Sequence, residues 1–246
     1  MQTLLPPDLI ADVNARFENE PPQEIARWML EDSGLGKVAL ASSFQAEAVA
    51  LIHMAVQVRP DIPVLFLETG FHFAETLAFK EQLAELLGLN VWELTGDHTV
   101  ESQAEAYGER LYERDPRLCC ELNKVEPLNR ALRTLDGWLT GLRRSSAPTR
   151  AGTPIVQQYE LEPGKTLVKV SPLANWSRRD VSEYLKEHEL PRHPLYDLGF
   201  ASIGCAPCTR VLFPGEDERA GRWPGAEKVE CGIHLSDARP SGSGAV

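Results

Sequence analysis

The sequence predicts an α/β fold, a doubly wound and mostly parallel sheet flanked by helices. Three observations predict it. Short apolar runs of strand length alternate with helical stretches, most runs end in a polar turn, and no low-complexity linker interrupts the pattern from Gln2 to about Leu212. In such sheets the crossovers are right-handed and cover both faces, so ligands bind at the carboxyl ends of the strands.

Residues 8–17 and 22–30 repeat Ile, Ala, Phe, Trp and Leu at helical spacing, with Pro and Asp near the starts, and predict two packing helices. Residues 37–41 form a first buried strand, followed by the turn Ser42-Ser43-Phe44-Gln45 and a helix over 46–58. A strand, a polar turn and a helix in that order offer backbone N–H groups to an anion. The unit recurs: 63–67 is a strand ending at Glu68-Thr69-Gly70, and 74–87 is a helix closed by Gly88. Residues 91–94 give a third strand. Two more are expected at 137–142, running straight into Arg143-Arg144, and at 167–170, with the polar stretch 145–154 between them as an exposed loop. Ser177 is the expected N-cap of a helix over 181–189. From Pro214 the composition turns to Gly, Pro, Glu, Asp and Arg. The expected organisation is therefore one α/β domain over 1–213 and a mobile C-terminal segment over 214–246, disordered from Ser236 on.

The chain of 246 residues carries a formal net charge of -11, which argues against nucleic acid as a partner, because phosphate-backbone affinity needs a basic field. A small anion is still accommodated by local cations: Lys124, Arg143-Arg144, Arg150, Arg178-Arg179, Arg219 and Arg222. No basic leader precedes an apolar run, and no apolar run reaches the roughly 18 residues of a membrane span. A cytoplasmic protein without a membrane partner is expected. The oligomeric state stays open, a homo-oligomer included.

Five cysteines divide into Cys119-Cys120, Cys205-x-x-Cys208 and a lone Cys231. The division suggests one four-thiolate site and one free thiol. Adjacent helical residues point about 100° apart, so Cys119 and Cys120 can serve one centre only if that centre is large or the backbone bends. A cubic 4Fe-4S cluster, with irons at separate corners, meets this better than one zinc ion. Structural zinc, a redox Cys-x-x-Cys and plain burial of small apolar residues are the other readings of the same four positions.

Seven stretches in order carry a resemblance over nearly the whole chain. They are Leu40-Ala41-Ser42-Ser43-Phe44-Gln45, Leu67-Glu68-Thr69-Gly70-Phe71-His72-Phe73, Cys119-Cys120-x-x-x-Lys124-Val125-Glu126-Pro127-Leu128 and Thr140-Gly141-Leu142-Arg143. Lys169-Val170-Ser171-Pro172-Leu173, Gly204-Cys205-x-x-Cys208 and Glu230-Cys231-Gly232-Ile233-His234 complete them. The sequence resembles the assimilatory adenylyl-sulfate reductases, within the wider family of 3'-phosphoadenylyl-sulfate reductases and the adenine nucleotide alpha hydrolase-like ATP-pyrophosphatase fold. The resemblance implies that Cys231 attacks the sulfur of adenylyl sulfate, releasing AMP and leaving an S-sulfocysteine from which thioredoxin or a similar dithiol frees sulfite. It implies one 4Fe-4S cluster on Cys119, Cys120, Cys205 and Cys208, with Lys124 linking that cluster to the substrate. It further implies substrate contacts from Ser42, Ser43, Phe44, Gln45, Glu68, Thr69, Gly70, Arg143, Arg219 and Arg222. The sequence departs from the family where Ser42-Ser43-Phe44-Gln45 lacks the glycines of an ATP loop, where Glu68 replaces the usual aspartate, and where Asn123 replaces a frequent arginine. The four paired cysteines point to adenylyl sulfate over its 3'-phosphorylated form, the alternative substrate. An ATP-dependent adenylyltransferase on the same fold is the competitor from another class, and His234 is left without a role.

Overall fold

The computed structural model describes residues 5–233; His234 and the expected disorder from Ser236 on lie outside the described residues. Six strands form one sheet in the order β3-β2-β1-β4-β6-β5. In chain order the elements are α1 (Pro7–Phe17), α2 (Pro22–Arg27), β1 (Val38–Ser42), α3 (Ala46–Val58), β2 (Pro63–Glu68), α4 (Ala74–Leu87) and β3 (Asn90–Thr95). Four short helices follow, α5 (Val100–Tyr107), α6 (Leu111–Arg114), α7 (Pro116–Cys120) and α8 (Glu126–Leu132). Then come β4 (Gly137–Thr140), β5 (Val156–Glu162), β6 (Lys165–Val170) and α9 (Arg178–Glu187).

The winding fixes where a ligand goes. From β1 the chain steps outward through β2 to β3, then returns across the sheet to place β4 on the other side of β1, parallel and with Ala41 opposite Thr140. The order reverses between β1 and β4. Crossovers leave in opposite directions there, and the crevice they open lies beyond Ser42 and Thr140.

The strand sequences explain the layers. Val38 and Leu40 of β1 and Val64 and Phe66 of β2 face one core with α1, α2, α3 and α9, while Ala39 and Leu65 face a second core with Leu128 and Leu132 of α8 and with Trp138. Alternate residues thus enter opposite layers, and a strand buried on both faces reads as an unbroken apolar run. The helix starting at Arg178 is held by a capping box, in which Ser177 Oγ accepts from Asp180 N at 3.2 Å and Asp180 Oδ2 accepts from Ser177 N at 2.6 Å.

The sequence pattern missed β5, which pairs antiparallel with β6 at the sheet edge. Its Gln157, Gln158, Glu160 and Glu162 give no apolar run, because an edge strand has one wet face. Asn14 covers that edge, donating to Val156 O at 2.7 Å and accepting from Val156 N at 3.0 Å. The helix expected over 22–30 holds α geometry only through Arg27 and continues as a π-helical turn, Trp28–Asp32. The strand expected over 137–142 ends at Thr140. The stretch 145–154 is not simply an exposed loop: it carries two 3-10 turns, buries Thr153 and delivers Arg150 to the crevice.

Candidate active site

The crevice at the β1/β4 switch point is lined by Ser42, Ser43 and Gln45 from one side and by Arg143 from the other, with Lys124 and Cys231 facing the same space. Its floor is shaped by a strained turn. Phe44 adopts φ 54° and turns its ring into the core, edge-on to Phe66 at 5.5 Å, while Ser42 Oγ accepts from Phe44 N at 3.0 Å. Phe44, expected at the substrate, is fully buried and acts by shaping the turn. Gln45 fastens that turn to the opposite wall: its Oε1 accepts from Ile203 N at 2.7 Å and its Nε2 donates to Ser43 Oγ at 3.0 Å.

The stretch Glu68-Thr69-Gly70 does not line this cleft. Glu68 Oε1 accepts from Gly70 N at 2.7 Å, and Thr69 Oγ1 lies 3.5 Å from Cys205 Sγ in a neighbouring cavity. Gly70 is required as glycine, since its φ is +72° and a Cβ there would lie 2.8 Å from Val100 Cγ2.

Five cations, Lys124, Arg143, Arg150, Arg219 and Arg222, line the cleft. Arg143 is 1% exposed, and its Nη2 donates to both Glu47 and Glu218 at 2.6 Å. Burial opposes its charge, but the two carboxylates prevail and hold its pKa above the ordinary value. Arg150 forks onto Glu230 at 2.7 and 2.9 Å, and Arg219 reaches the same carboxylate at 3.1 Å. Arg222 lies over Trp223, 4.6 Å from the ring centroid, and fills the space beside Gly204, where a Cβ would collide with its guanidinium. The Nε atoms of Arg219 and Arg222 are buried without a hydrogen-bond partner. A buried donor left unpaired costs about 1–3 kcal/mol, so two in one cleft mark a place for acceptors from outside the chain. Of the other expected cations, Arg144 turns away to Glu18, and Arg179 pairs with Glu183 on the surface.

The paired cysteines line the adjoining cavity. Asp115 caps α7 through Oδ1, accepting from Arg117 N at 3.1 Å and Leu118 N at 2.9 Å. Directly after Cys120 the helix widens into a π-helical turn, Glu121–Val125. Both cysteines lie in regular α geometry, so the turn resets Asn123 and Lys124 against them and leaves the angle between the two cysteines as it is. Asn123, inside that turn, is buried and donates to Gln103 Oε1 at 2.6 Å and to Cys119 O at 2.8 Å, with Cys119 Sγ 3.6 Å away. It gives the sulfur a neutral donor. Cys205 and Cys208 are brought together by the 3-10 turn Ala206–Cys208, anchored through Ala206 N to Phe71 O at 2.7 Å. All five cysteines are buried and free of disulfides.

Electrostatics describe what this cavity wants. Burial first, and neighbouring sulfurs second, push the Cys119 thiol up to about 12 and the Cys208 thiol to about 11. Cys119 and Cys208 thus resist becoming thiolates until a cation joins them, whereas a hydrogen bond from Cys231 first, with the charges of Lys124 and Lys228, pulls the Cys120 thiol down to about 4. Among the described residues no three Cys, His, Asp or Glu side chains converge as they would on a single ion. Lys124 lines both cavities. Burial works against its ammonium, yet the sulfurs of Cys205, Cys231 and Cys120 outweigh burial and hold it protonated.

Cys231 reaches the cleft on residues 214–233, which lie docked over it. The dock is made by the Thr209–Arg222 bridge, by Trp223 N donating to Cys208 O at 2.9 Å, and by Glu230 on Arg150. The Cys120 sulfur and burial push the Cys231 thiol up, against the pull of Lys124. For Glu230 burial raises the carboxyl pKa, but the hydrogen bond and charge of Arg150, with Arg219, hold it below the usual 4.5. A lowered folded-state pKa gives stability that is complete above the unfolded value and fades as pH falls through the folded one. Docking is thus expected to loosen below about pH 4.5, read as faster alkylation of Cys231 by a reagent that needs no thiolate, with the sheet still folded by circular dichroism.

A family model for the phosphoadenosine phosphosulfate reductase domain matches residues 37–211. The chain belongs to that family. It is an oxidoreductase of the sulfate-assimilation type. The chain is 45% identical to an adenosine 5'-phosphosulfate reductase of Streptomyces coelicolor, over 89% of this chain and 90% of the relative. It is 40% identical to one of Rhodococcus opacus, over 93% and 94%. A crystal structure of the phosphoadenylyl-sulfate reductase of Candida auris in complex with phosphate matches with a TM-score of 0.72 and 26% identity, covering 85% of this chain and all of that one. The doubly wound sheet read from the sequence is thus the family's architecture. Among the described residues of this reductase no helix is long and apolar enough to cross a membrane.

Sequence reasoning missed Glu47 and Glu218 as cleft residues and Glu230 as the partner of two cleft arginines. Glu230 sits beside Cys231 in a stretch that was singled out for its cysteine. No local signal pairs Glu47 or Glu218 with an arginine 96 or 75 positions away.

Proposed function

We propose that this reductase converts adenylyl sulfate to sulfite and AMP, using thioredoxin or a similar cytoplasmic dithiol. The observation that carries this reading is Cys231 in one cleft with Lys124, Arg219 and Arg222, two of whose buried guanidinium Nε atoms lack a partner. A nucleophile facing an unsatisfied anion site suits a substrate whose electrophilic sulfur carries anionic oxygens on either side.

The Cys231 thiolate attacks the sulfuryl sulfur, an S–S bond forms, the S–O bond to the phosphate breaks, and AMP leaves with the electron pair. Lys124, Arg219 and Arg222 hold the sulfuryl and phosphoryl oxygens as charge moves onto the leaving phosphate. Cys231 then carries the sulfo group out of the cleft. One thiolate of the dithiol attacks the Cys231 sulfur and expels sulfite, and the second thiol resolves the mixed disulfide, so the two electrons gained by sulfur come from the dithiol. The docked Cys231 is 8% exposed, too covered for a protein dithiol. The segment that carries it must therefore move.

Cys119, Cys120, Cys205 and Cys208 would hold the 4Fe-4S cluster. The donor set fits: four soft sulfurs around one cavity and no carboxylate among its lining residues. When bound, such a cluster supplies a buried negative charge, which Lys124 offsets toward an anionic substrate.

The test is anaerobic sulfite release from adenylyl sulfate and, separately, from its 3'-phosphorylated form, with thioredoxin as reductant. The expected result is at least about a hundredfold preference in kcat/KM for the first, the discrimination a few kcal/mol confers. Sulfite from neither substrate would sink the proposal.

A further inference from the structure

The arrangement around Arg143 is electrostatically odd for a cleft that takes an anion. One buried guanidinium meets two carboxylates at 2.6 Å, Glu47 from α3 and Glu218 from the C-terminal segment. That triad carries a net negative charge. One carboxylate, Glu47, already neutralises Arg143, accepting from both Nε at 2.8 Å and Nη2, while Nη1 donates to Ser145 Oγ at 3.0 Å. Glu218 is surplus to the pairing, and its side chain, 22% exposed, lines the cleft. Elsewhere the balance is reversed: Glu230 serves both Arg150 and Arg219. The grouping around Glu230 thus has a surplus cation and the Arg143 grouping a surplus carboxylate.

We infer that Glu218 is a specificity-determining residue, whose surplus charge discriminates against more highly charged nucleotides and so against a 3'-phosphate on the substrate. The inference rests on the proposed nucleotide substrate. Coulomb repulsion scales with ligand charge, so one carboxylate at fixed distance weakens a ligand with two phosphates more than a ligand with one. Retaining the acid in an anion site lowers affinity for the right substrate a little and for the wrong one more.

The test uses the holoenzyme and two stable nucleotides, AMP and adenosine 3',5'-bisphosphate, titrated calorimetrically against wild type, Glu218→Gln and the surface control Glu183→Gln. Glutamine keeps an oxygen for Arg143, and thermal unfolding of each variant verifies folding. Glu218→Gln is expected to tighten AMP about threefold and the bisphosphate about tenfold or more, with the gap shrinking at high salt. Glu183→Gln should change neither. Weaker binding of both nucleotides in Glu218→Gln would mean that Glu218 only holds Arg143 in place. Equal tightening of both would remove any role in selection. Either outcome overturns the inference, whereas a wild-type enzyme that binds neither nucleotide overturns the proposed substrate.

Discussion

Cys231→Ser is expected to lower sulfite release by at least about 10³-fold, because a serine hydroxyl at neutral pH holds far less anion than a thiol and a sulfate ester formed on it has no S–S bond for a dithiol to break with release of sulfite. Substrate affinity should stay within about threefold, since the anion contacts proposed above are those of Lys124, Arg219 and Arg222, which line the cleft. The decisive readout is a labelled sulfo group on the protein after mixing with adenylyl sulfate in the absence of dithiol. Wild type should retain one that thioredoxin removes. A labelled adduct that thioredoxin still removes from the serine variant would place the nucleophile elsewhere.

The second large effect is expected at Lys124. Its side chain lines both the cleft and the cysteine cavity, as that of Arg222 does, and the sulfurs of Cys205, Cys231 and Cys120 hold its ammonium protonated. Lys124→Met keeps the apolar stem and deletes the charge. The loss should appear in kcat, by about 10²-fold, the usual scale for removing one preorganised charge from a developing anion. Iron and acid-labile sulfide content should be unchanged, because Lys124 is not a sulfur donor. A variant that loses iron would instead show that the lysine is a structural counter-charge, and one with unaltered kcat would show that it is a bystander. Arg143 gives the contrast. Removing its guanidinium leaves Glu47 and Glu218 facing each other, and breaking such a buried pair costs about 3–5 kcal/mol, so its loss should register in folding before it registers in rate.

What could be read from the chain, and what could not, divides along physical lines. The parallel strands are continuous apolar runs such as Val64-Leu65-Phe66-Leu67, which no solvated segment imitates. The edge strand Val156–Glu162 alternates weakly and reads as loop until Asn14 and β6 are seen to pair with it. The cysteines were legible because few residue types do their chemistry and their spacing is local. The acids were not. Glu47 and Glu218 belong to the site only through a tertiary meeting at Arg143, and Phe44 left it because a positive φ turned the ring inward. Motifs record which residues stand near one another in the chain; they are silent on which way a side chain points.

The π-helical turn Glu121–Val125 sets stability against activity. Widening a helix by one residue weakens its ladder relative to regular α geometry, and deleting one residue there would restore that ladder. The shortened chain would be the better helix, yet everything beyond the deletion would rotate by about 100° against Cys119 and Cys120. A search for thermostable variants would find that deletion attractive, and the chain it returned would be a sturdy protein whose two cavities no longer share a lysine.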